Sequence, residues 1–537
     1  MNHRLYHLFY ICLLGICGIS CNGGSDQGAK VRHADSHLTL SSSDDPTSFD
    51  PRLSRSLQSG TYLRMLYEGL MRVDLNGKVR PAIAEKITVS DDLKTYTFHL
   101  RQAHWSDGSK VTAHDFVNTW KSQLSPTFPA PNAYQFYVIK GAKEAKTGKI
   151  SLDSKEIGIH APTADTLVVE LNSPTPYFLD LLSCHFFLPV HSSLQSESAH
   201  QKTHGVLISN GPFKLTSFQM RNGFTVKKNE NYWDKSKVFL STITVQIVND
   251  NPALQLYKKG QIDWVGSPMM SLPRDALPSL KASHNLHVMP SGATLWIKMN
   301  TDKGLFNNKS LRKAFSLAIN RQEIVLHITQ GNEIPALAIV PKSFGLLKNH
   351  YFDDGDVSKG KELFSQALKE MNMEKKDLPK ITIHYSSSAE RLHKIAQALQ
   401  QQWKSAFDIH IDIASTEGKL LLDKINSGDF QMTLGEWYAD IDDPVNFLEI
   451  FAFKENPTNK TGWENPQYQK LLLASQIETD HSKRAQLLTE AEEILLNELP
   501  VTPIYYPAYN YLYVPNLQGV YFSSLGFLDF KEAKFNE

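Results

Sequence analysis

The chain has 537 residues, more than one core usually holds, so two or three domains are expected. Its composition, 41% hydrophobic and 21% charged, is that of an ordinary folded protein and excludes a largely disordered or fibrous chain. Lysine plus arginine number 56, as do aspartate plus glutamate, which leaves no basic excess for a nucleic-acid partner.

Met1 to Arg4 carry one firm positive charge, and Leu5 to Ile19 form the apolar run LYHLFYICLLGICGI. That run is short for a bilayer span and suits the centre of a secretory leader. Gly18-Ile19-Ser20 then precede Cys21 and the polar tract NGGSDQGAK. Small residues ahead of a cysteine resemble a lipoprotein processing site. Residues 1–21 are therefore read as a signal peptide and Cys21 as lipidated, with simple cleavage or a retained anchor as the alternatives. No later stretch approaches about 20 apolar residues. Of the four cysteines, Cys12, Cys17 and Cys21 fall in this region. Cys184, within LLSCHFFL, reads as a small packed hydrophobe, and no internal disulfide is expected.

Further along, Thr95 to Leu100 (TYTFHL) alternates apolar and polar residues and predicts a half-buried strand. The turn Ser106-Asp107-Gly108 follows. Thr112 with Asp115 three residues on predicts the start of a helix running to about Leu124. The second half has another rhythm. Helices are predicted over Lys361–Met371, Ala389–Phe407, Lys419–Asn426 and Lys483–Leu499, and strands over Lys380–Tyr385, Asp408–Ala414 and Phe430–Trp437. Strands separated by helices imply a parallel crossover sheet. Ligands gather beyond the carboxyl ends of such strands, which places an expected site near Asp440, in Tyr438 to Pro444. The aromatic run IYYPAYNYLYV, Ile504 to Val514, closes this half.

Several motifs now coincide in order. Leu66 to Asp74 reads LYEGLMRVD, and Pro81 to Lys121 reads PAIAEKITVSDDLKTYTFHLRQAHWSDGSKVTAHDFVNTWK. Downstream lie SNGPFKLTSF (Ser209 to Phe218), NENYWD (Asn229 to Asp234) and LYKKGQIDW (Leu256 to Trp264). MNTDKGLFNNKSLRKAFSLAINRQEI (Met299 to Ile324) and LGEWYADIDDPVNF (Leu434 to Phe447) complete the set. Together they resemble the large peptide-binding proteins of ABC importers, the oligopeptide- and dipeptide-binding class of solute-binding proteins, family 5. Most of these motifs are architectural. Trp105, Asp107 and Gly108 are expected to pin a turn, and Gly211-Pro212 to mark the return of the chain to its first domain.

The resemblance implies an α/β, two-lobed, three-domain periplasmic-binding-protein fold of type II that closes about a hinge. Domain I would hold residues 22–66, 208–290 and 506–537. Domain II would be an insertion over 67–207, and domain III would span 291–505, with hinge crossings near Pro290 and Tyr505. The implied function is extracytoplasmic capture of short peptides for delivery to the permease subunits of an ABC importer, by a monomer in the periplasm tethered to a membrane through its lipid. Murein-derived peptides, a nickel complex, haem, or a sensor role on the same fold are the alternatives.

Such a site must hold the constant parts of many peptides and treat their side chains loosely. Pairing with the peptide main chain as an added strand does the first, and water-filled pockets do the second. The resemblance makes Asp440 the carboxylate that pairs with the peptide amino terminus. The plainer reading has Asp440 capping a following turn or helix, with Asp442 or Asp443 better placed for the ligand. Glu436, Trp437 and Tyr438 align with the strand that bonds the peptide backbone, Arg55, Ser56 and Leu57 with a second flanking strand, and His393 with a histidine at the peptide's far end. Family arginines that engage the far end align with Leu434 and Ile425, and a stacking tryptophan with Gly418. Lys424 is the nearby candidate to compensate. No cofactor or metal is implied. An enzyme is the rival class, yet HExxH, GxSxG, a glycine-rich phosphate loop and CxxC are all missing from the sequence. Ser310-Leu311-Arg312-Lys313 matches SxxK without that pattern's partner motifs.

Overall fold

The computed structural model describes residues 36–54, 56–194, 207–387, 390–456 and 458–536. Residues 1–35, which include the expected signal peptide and Cys21, and Arg55 lie outside them. Among the described residues no helix is long and apolar enough to cross a membrane.

A seven-stranded sheet forms the trunk. Its spatial order is His287–Pro290, Ala508–Tyr513, Trp264–Gly266, His37–Ser42, Thr242–Ile247, Gly223–Lys228, Phe213–Gln219. His37–Ser42 runs parallel to both of its neighbours and is buried from Leu38 onward, which is why HLTLSS shows no clean alternation. The two chain excursions from this trunk each leave and return at one point.

The first excursion carries a four-stranded antiparallel sheet in the order Ala84–Val89, Thr95–Leu100, Thr166–Glu170, Ile159–Thr163. Tyr96, Phe98 and Leu100 point into its core, as the alternation predicts. The helix Ala113–Gln123 begins at Thr112, whose backbone N–H and hydroxyl both donate to the Asp115 carboxylate at 2.7 and 3.0 Å. Trp105 is buried, and Gly108 turns with φ 94° where Asp107 accepts from the Ser109 backbone, so this motif is structural. The chain returns at Gly211, whose backbone N–H donates to Leu66 O at 2.8 Å. A Cβ on Gly211 would sit 2.4 Å from the Tyr67 nitrogen, so only glycine permits this close crossing. Asn210 fastens it further by bonding both backbone groups of Glu68.

The second excursion carries a six-stranded sheet in the order Ile334–Pro335, Val501–Tyr506, Ala293–Met299, Met432–Tyr438, Ile381–Ser386, Ile411–Thr416. The last three are parallel and are joined by the helices Glu390–Phe407 and Gly418–Asn426, close to the predicted spans. The sheet as a whole is mixed rather than parallel, because Ala293–Met299 pairs antiparallel with both of its neighbours. The reason is geometric. The chain enters at Ala293 and leaves at Tyr506 beside the same crossing, so the entering and leaving strands must oppose each other. Ser291 donates from its backbone N–H and its hydroxyl to Pro507 O, both at 2.9 Å, tying the two crossings together. One apolar core serves the six-stranded sheet, while a larger one runs beneath the other two.

Candidate peptide-binding cleft

The strand Met432–Tyr438 is paired along its whole length on one side, with Met299 opposite Met432 and Ala293 opposite Tyr438. On its other side Ile381–Ser386 pairs only with Met432 and Thr433. Among the described residues the main chain from Leu434 to Tyr438 therefore presents an unpaired edge in the interior of a sheet. Unpaired edges are places where an extended chain can add as a strand.

Asp440 lies just past this edge. Its carboxylate accepts from the Tyr134 hydroxyl at 3.0 Å and from the Gln135 side-chain amide at 2.6 Å, both contributed by the first excursion. Its backbone N–H donates to Asn446 Oδ1, and its carbonyl accepts from the Cys184 thiol at 3.4 Å. Desolvation raises the Asp440 pKa, and the two side-chain donors counter it. No ion pair is formed by this carboxylate among the described residues. A cationic group arriving here would replace lost hydration, the condition for a strong, charge-assisted bond. Asp440 does not cap a helix. Nearby, Asp443 accepts from the Val445 backbone N–H and is held by both terminal nitrogens of Arg484 at 2.8 and 3.0 Å.

The other expected residues fall in different settings. Trp437 donates to the same Asn446 oxygen at 3.0 Å, which fixes its ring beside Asp440. Tyr438 remains 41% exposed, with partial burial pushing its pKa up to about 12. Glu436 accepts from Arg391 at 2.6 Å, and Arg391 also donates to the Tyr505 hydroxyl at 2.7 Å. His393 shares a hydrogen bond of 2.6 Å with the Tyr385 hydroxyl. Lys424 is paired with Asp429 at 2.8 Å, and so is committed locally.

The second flanking strand is not formed. Ser56 is extended (φ −129°, ψ 153°), but its hydroxyl accepts from Ser59 N and caps the helix Leu57–Leu66, so Leu57 is helical. A serine three residues before a backbone donor satisfies one of the helix's orphan N–H groups, and that local gain outweighs strand pairing here. Ser310 of the SxxK match lies within the helix Lys309–Leu317 and donates to Glu370. Sequence reasoning missed Tyr134, Gln135 and Arg391. Tyr134 and Gln135 lie in a 3₁₀ segment, Ala133–Val138, more than 300 residues from Asp440, and no local pattern signals the pairing. Arg391 stands two places before His393, on the same helix.

A second group of acids adjoins the cleft. Burial, with Asp443 and Asp442 nearby, pushes the Asp180 carboxyl up to about 6. Burial likewise lifts Glu449 to about 7, with Asp443 and Asp440 adding to the effect. Among the described residues no cluster of three or more histidine, cysteine or acidic side chains is arranged to hold a metal ion.

Comparisons with known proteins agree with this architecture. The model of the bacterial extracellular solute-binding proteins, family 5 Middle, matches residues 78–459. The chain is 40% identical over 536 residues to the oligopeptide-binding protein OppA of Bacillus subtilis (strain 168), covering 98% of each. It is 33% identical to the dipeptide-binding protein DppE of the same organism, covering 96% of this chain and 94% of that one. Among solved structures, the unliganded open form of the periplasmic murein tripeptide-binding protein MppA superposes with a TM-score of 0.79 at 27% identity, covering 95% and 98%. The chain belongs to the bacterial extracellular solute-binding proteins of family 5.

Proposed function

We propose that this protein captures short peptides in extended form outside the cytoplasm and delivers them to an ABC importer. The observation that carries the reading is the edge from Leu434 to Tyr438, unpaired among the described residues, ending at a carboxylate that has hydrogen-bond donors but no ion pair among them. The peptide main chain adds to that edge as a strand. Its leading ammonium meets Asp440, already oriented by Tyr134, Gln135 and Asn446. Trp437 and Tyr438 flank the first residues, and Arg391, with Glu436, stands further along the edge with His393 beyond. Ser56 and Leu57 belong to the opposite wall, with Arg55 next to them in sequence. The relatives named for oligopeptide and dipeptide binding support the same ligand class.

The domain division follows the three sheets: residues 22–66, 208–290 and 506–537 form the trunk, 67–207 and 291–505 the two excursions. Closure rotates the second excursion toward the other two about Ser291 and Pro507. A ligand touching both walls binds the closed arrangement better and so shifts that population. The protein acts as a monomer, without cofactor or covalent chemistry. Residues 1–21 direct export, and lipidation of Cys21 tethers the mature chain to a membrane.

Native mass spectrometry of freshly purified protein tests the reading. A ladder of short-peptide masses is expected; a single defined non-peptide mass overturns it.

A further inference from the structure

Along the open edge, Leu434, Glu436 and Tyr438 alternate onto one face of the sheet. Leu434 joins the apolar core beneath the helix Glu390–Phe407, and Glu436 and Tyr438 continue on that side. Arg391, in the first turn of the same helix, donates to Glu436 and to the Tyr505 hydroxyl. Neither member of this pair is used up. A guanidinium has five N–H donors, and only two are engaged among the described residues. On Glu436 the bond falls on Oε2, while Oε1 is buried without a hydrogen-bond partner among them. The two side chains remain 28% and 18% exposed, so the pair borders the cleft rather than the core. Its titratable neighbours are committed elsewhere. Glu333 accepts from the Thr329 hydroxyl and the Gly331 N–H, and His393 is bonded to Tyr385.

A peptide whose ammonium meets Asp440 runs antiparallel to the strand Met432–Tyr438. With its first residue opposite Tyr438, its third lies opposite Glu436. Directly opposed residues of an antiparallel pair point to the same face. The third side chain therefore projects against Arg391 and Glu436, whereas the second projects away. The pair is neutral as a whole. A lysine there would meet Arg391, and a glutamate would meet Glu436. A leucine would leave the spare donors and the lone acceptor unsatisfied. A primary carboxamide offers its oxygen to the guanidinium and an N–H to Oε1, and brings no charge. We propose that Arg391 and Glu436 form the subsite for the third side chain of the peptide and select a carboxamide, glutamine or asparagine, at that position. The inference rests on the peptide-capture reading and adds a side-chain preference to it.

Calorimetry on the intact protein at pH 7.5 tests it, with four tetrapeptides that differ only at the third residue: glutamine, leucine, lysine or glutamate among alanines. The glutamine peptide is expected to bind about tenfold more tightly than the leucine peptide, and more tightly than either charged one. Moving the glutamine to the second residue should abolish the advantage, because that side chain leaves the other face. Equal affinities across the four, a charged residue ranked first, or the same advantage at the second residue would overturn the proposal while leaving peptide capture intact. If no tetrapeptide binds, the peptide reading fails and takes this inference with it. A variant reads the mechanism independently. Glu436→Gln leaves Arg391 without its counter-charge, so within that variant the glutamate peptide should overtake the glutamine peptide by roughly fivefold. The ratio is taken within one protein, so a general loss of stability does not mimic it. A ranking unchanged by the substitution rejects the assignment.

Discussion

Two ionic clusters, each built from distant parts of the chain, make an instructive contrast. Between the trunk and the first excursion, Arg72 donates to Asp529 at 2.7 and 2.8 Å, to Glu68 at 3.2 Å and to the Arg64 carbonyl at 3.0 Å. Tyr232 completes the set by donating to Glu68. These groups are nearly wholly buried and mutually satisfied. Between the two excursions, by contrast, Asp180 and Asp440 are half-buried, and neither forms an ion pair among the described residues. The first cluster joins parts that stay together. The second lies where the proposed closure moves the parts and where the proposed peptide ammonium would arrive. Whether a buried charge is paired thus marks the difference between a fixed joint and a working one.

Asp529→Asn offers the largest test of this contrast. Burial alone would raise the Asp529 pKa, yet Arg72 beside it holds the carboxyl below its usual range. The stability it provides is present above the unfolded aspartate value of about 3.9 and is lost as pH falls through the folded value. Removing the charge at pH 7.5 leaves Arg72 with Glu68 as its one carboxylate partner and is expected to cost ~3–5 kcal/mol in denaturant unfolding. Asp440→Asn should leave unfolding nearly unchanged but weaken a free-amine tripeptide by about 100-fold in calorimetry, roughly 3 kcal/mol. N-acetylation of the peptide should reproduce most of that loss with the unmodified protein. Equal binding of acetylated and free peptide would remove Asp440 from its assigned role.

Asp180→Asn should act in the opposite sense to Asp529→Asn. Its folded pKa is raised to about 6. The ionised carboxylate therefore costs stability above that pH, and the cost disappears below the unfolded value near 3.9. A gain of roughly 1–3 kcal/mol at pH 7.5 is expected, vanishing near pH 4, with melting temperature as the readout. Tyr134→Phe makes the smallest change. It removes one of two donors that orient Asp440 and should weaken the tripeptide by about tenfold or less.

The sequence made the local elements legible where one rule acted alone. TYTFHL alternates because one face of its sheet is buried, and Thr112 with Asp115 starts a helix because the pair satisfies orphan backbone groups. Asp440 lies just past the carboxyl end of a strand that is parallel to its neighbour, the position that the alternation of strands and helices predicts. What could not be read depends on contacts between remote parts. Tyr134 and Gln135 meet Asp440 only after both excursions have folded, and the mixed sheet depends on where the chain enters and leaves. The expected strand at Ser56 and Leu57 failed for a local reason, since the serine hydroxyl found a helix to cap.

The paired crossings carry one more implication. Leu66 touches Gly211, and Ser291 touches Pro507, so each long detour begins and ends within a single hydrogen bond. Chain length can therefore be added within either detour without stretching the trunk, whose entry and exit points stay in contact. A lineage carrying this trunk can therefore exchange or enlarge an arm while the remainder keeps its shape.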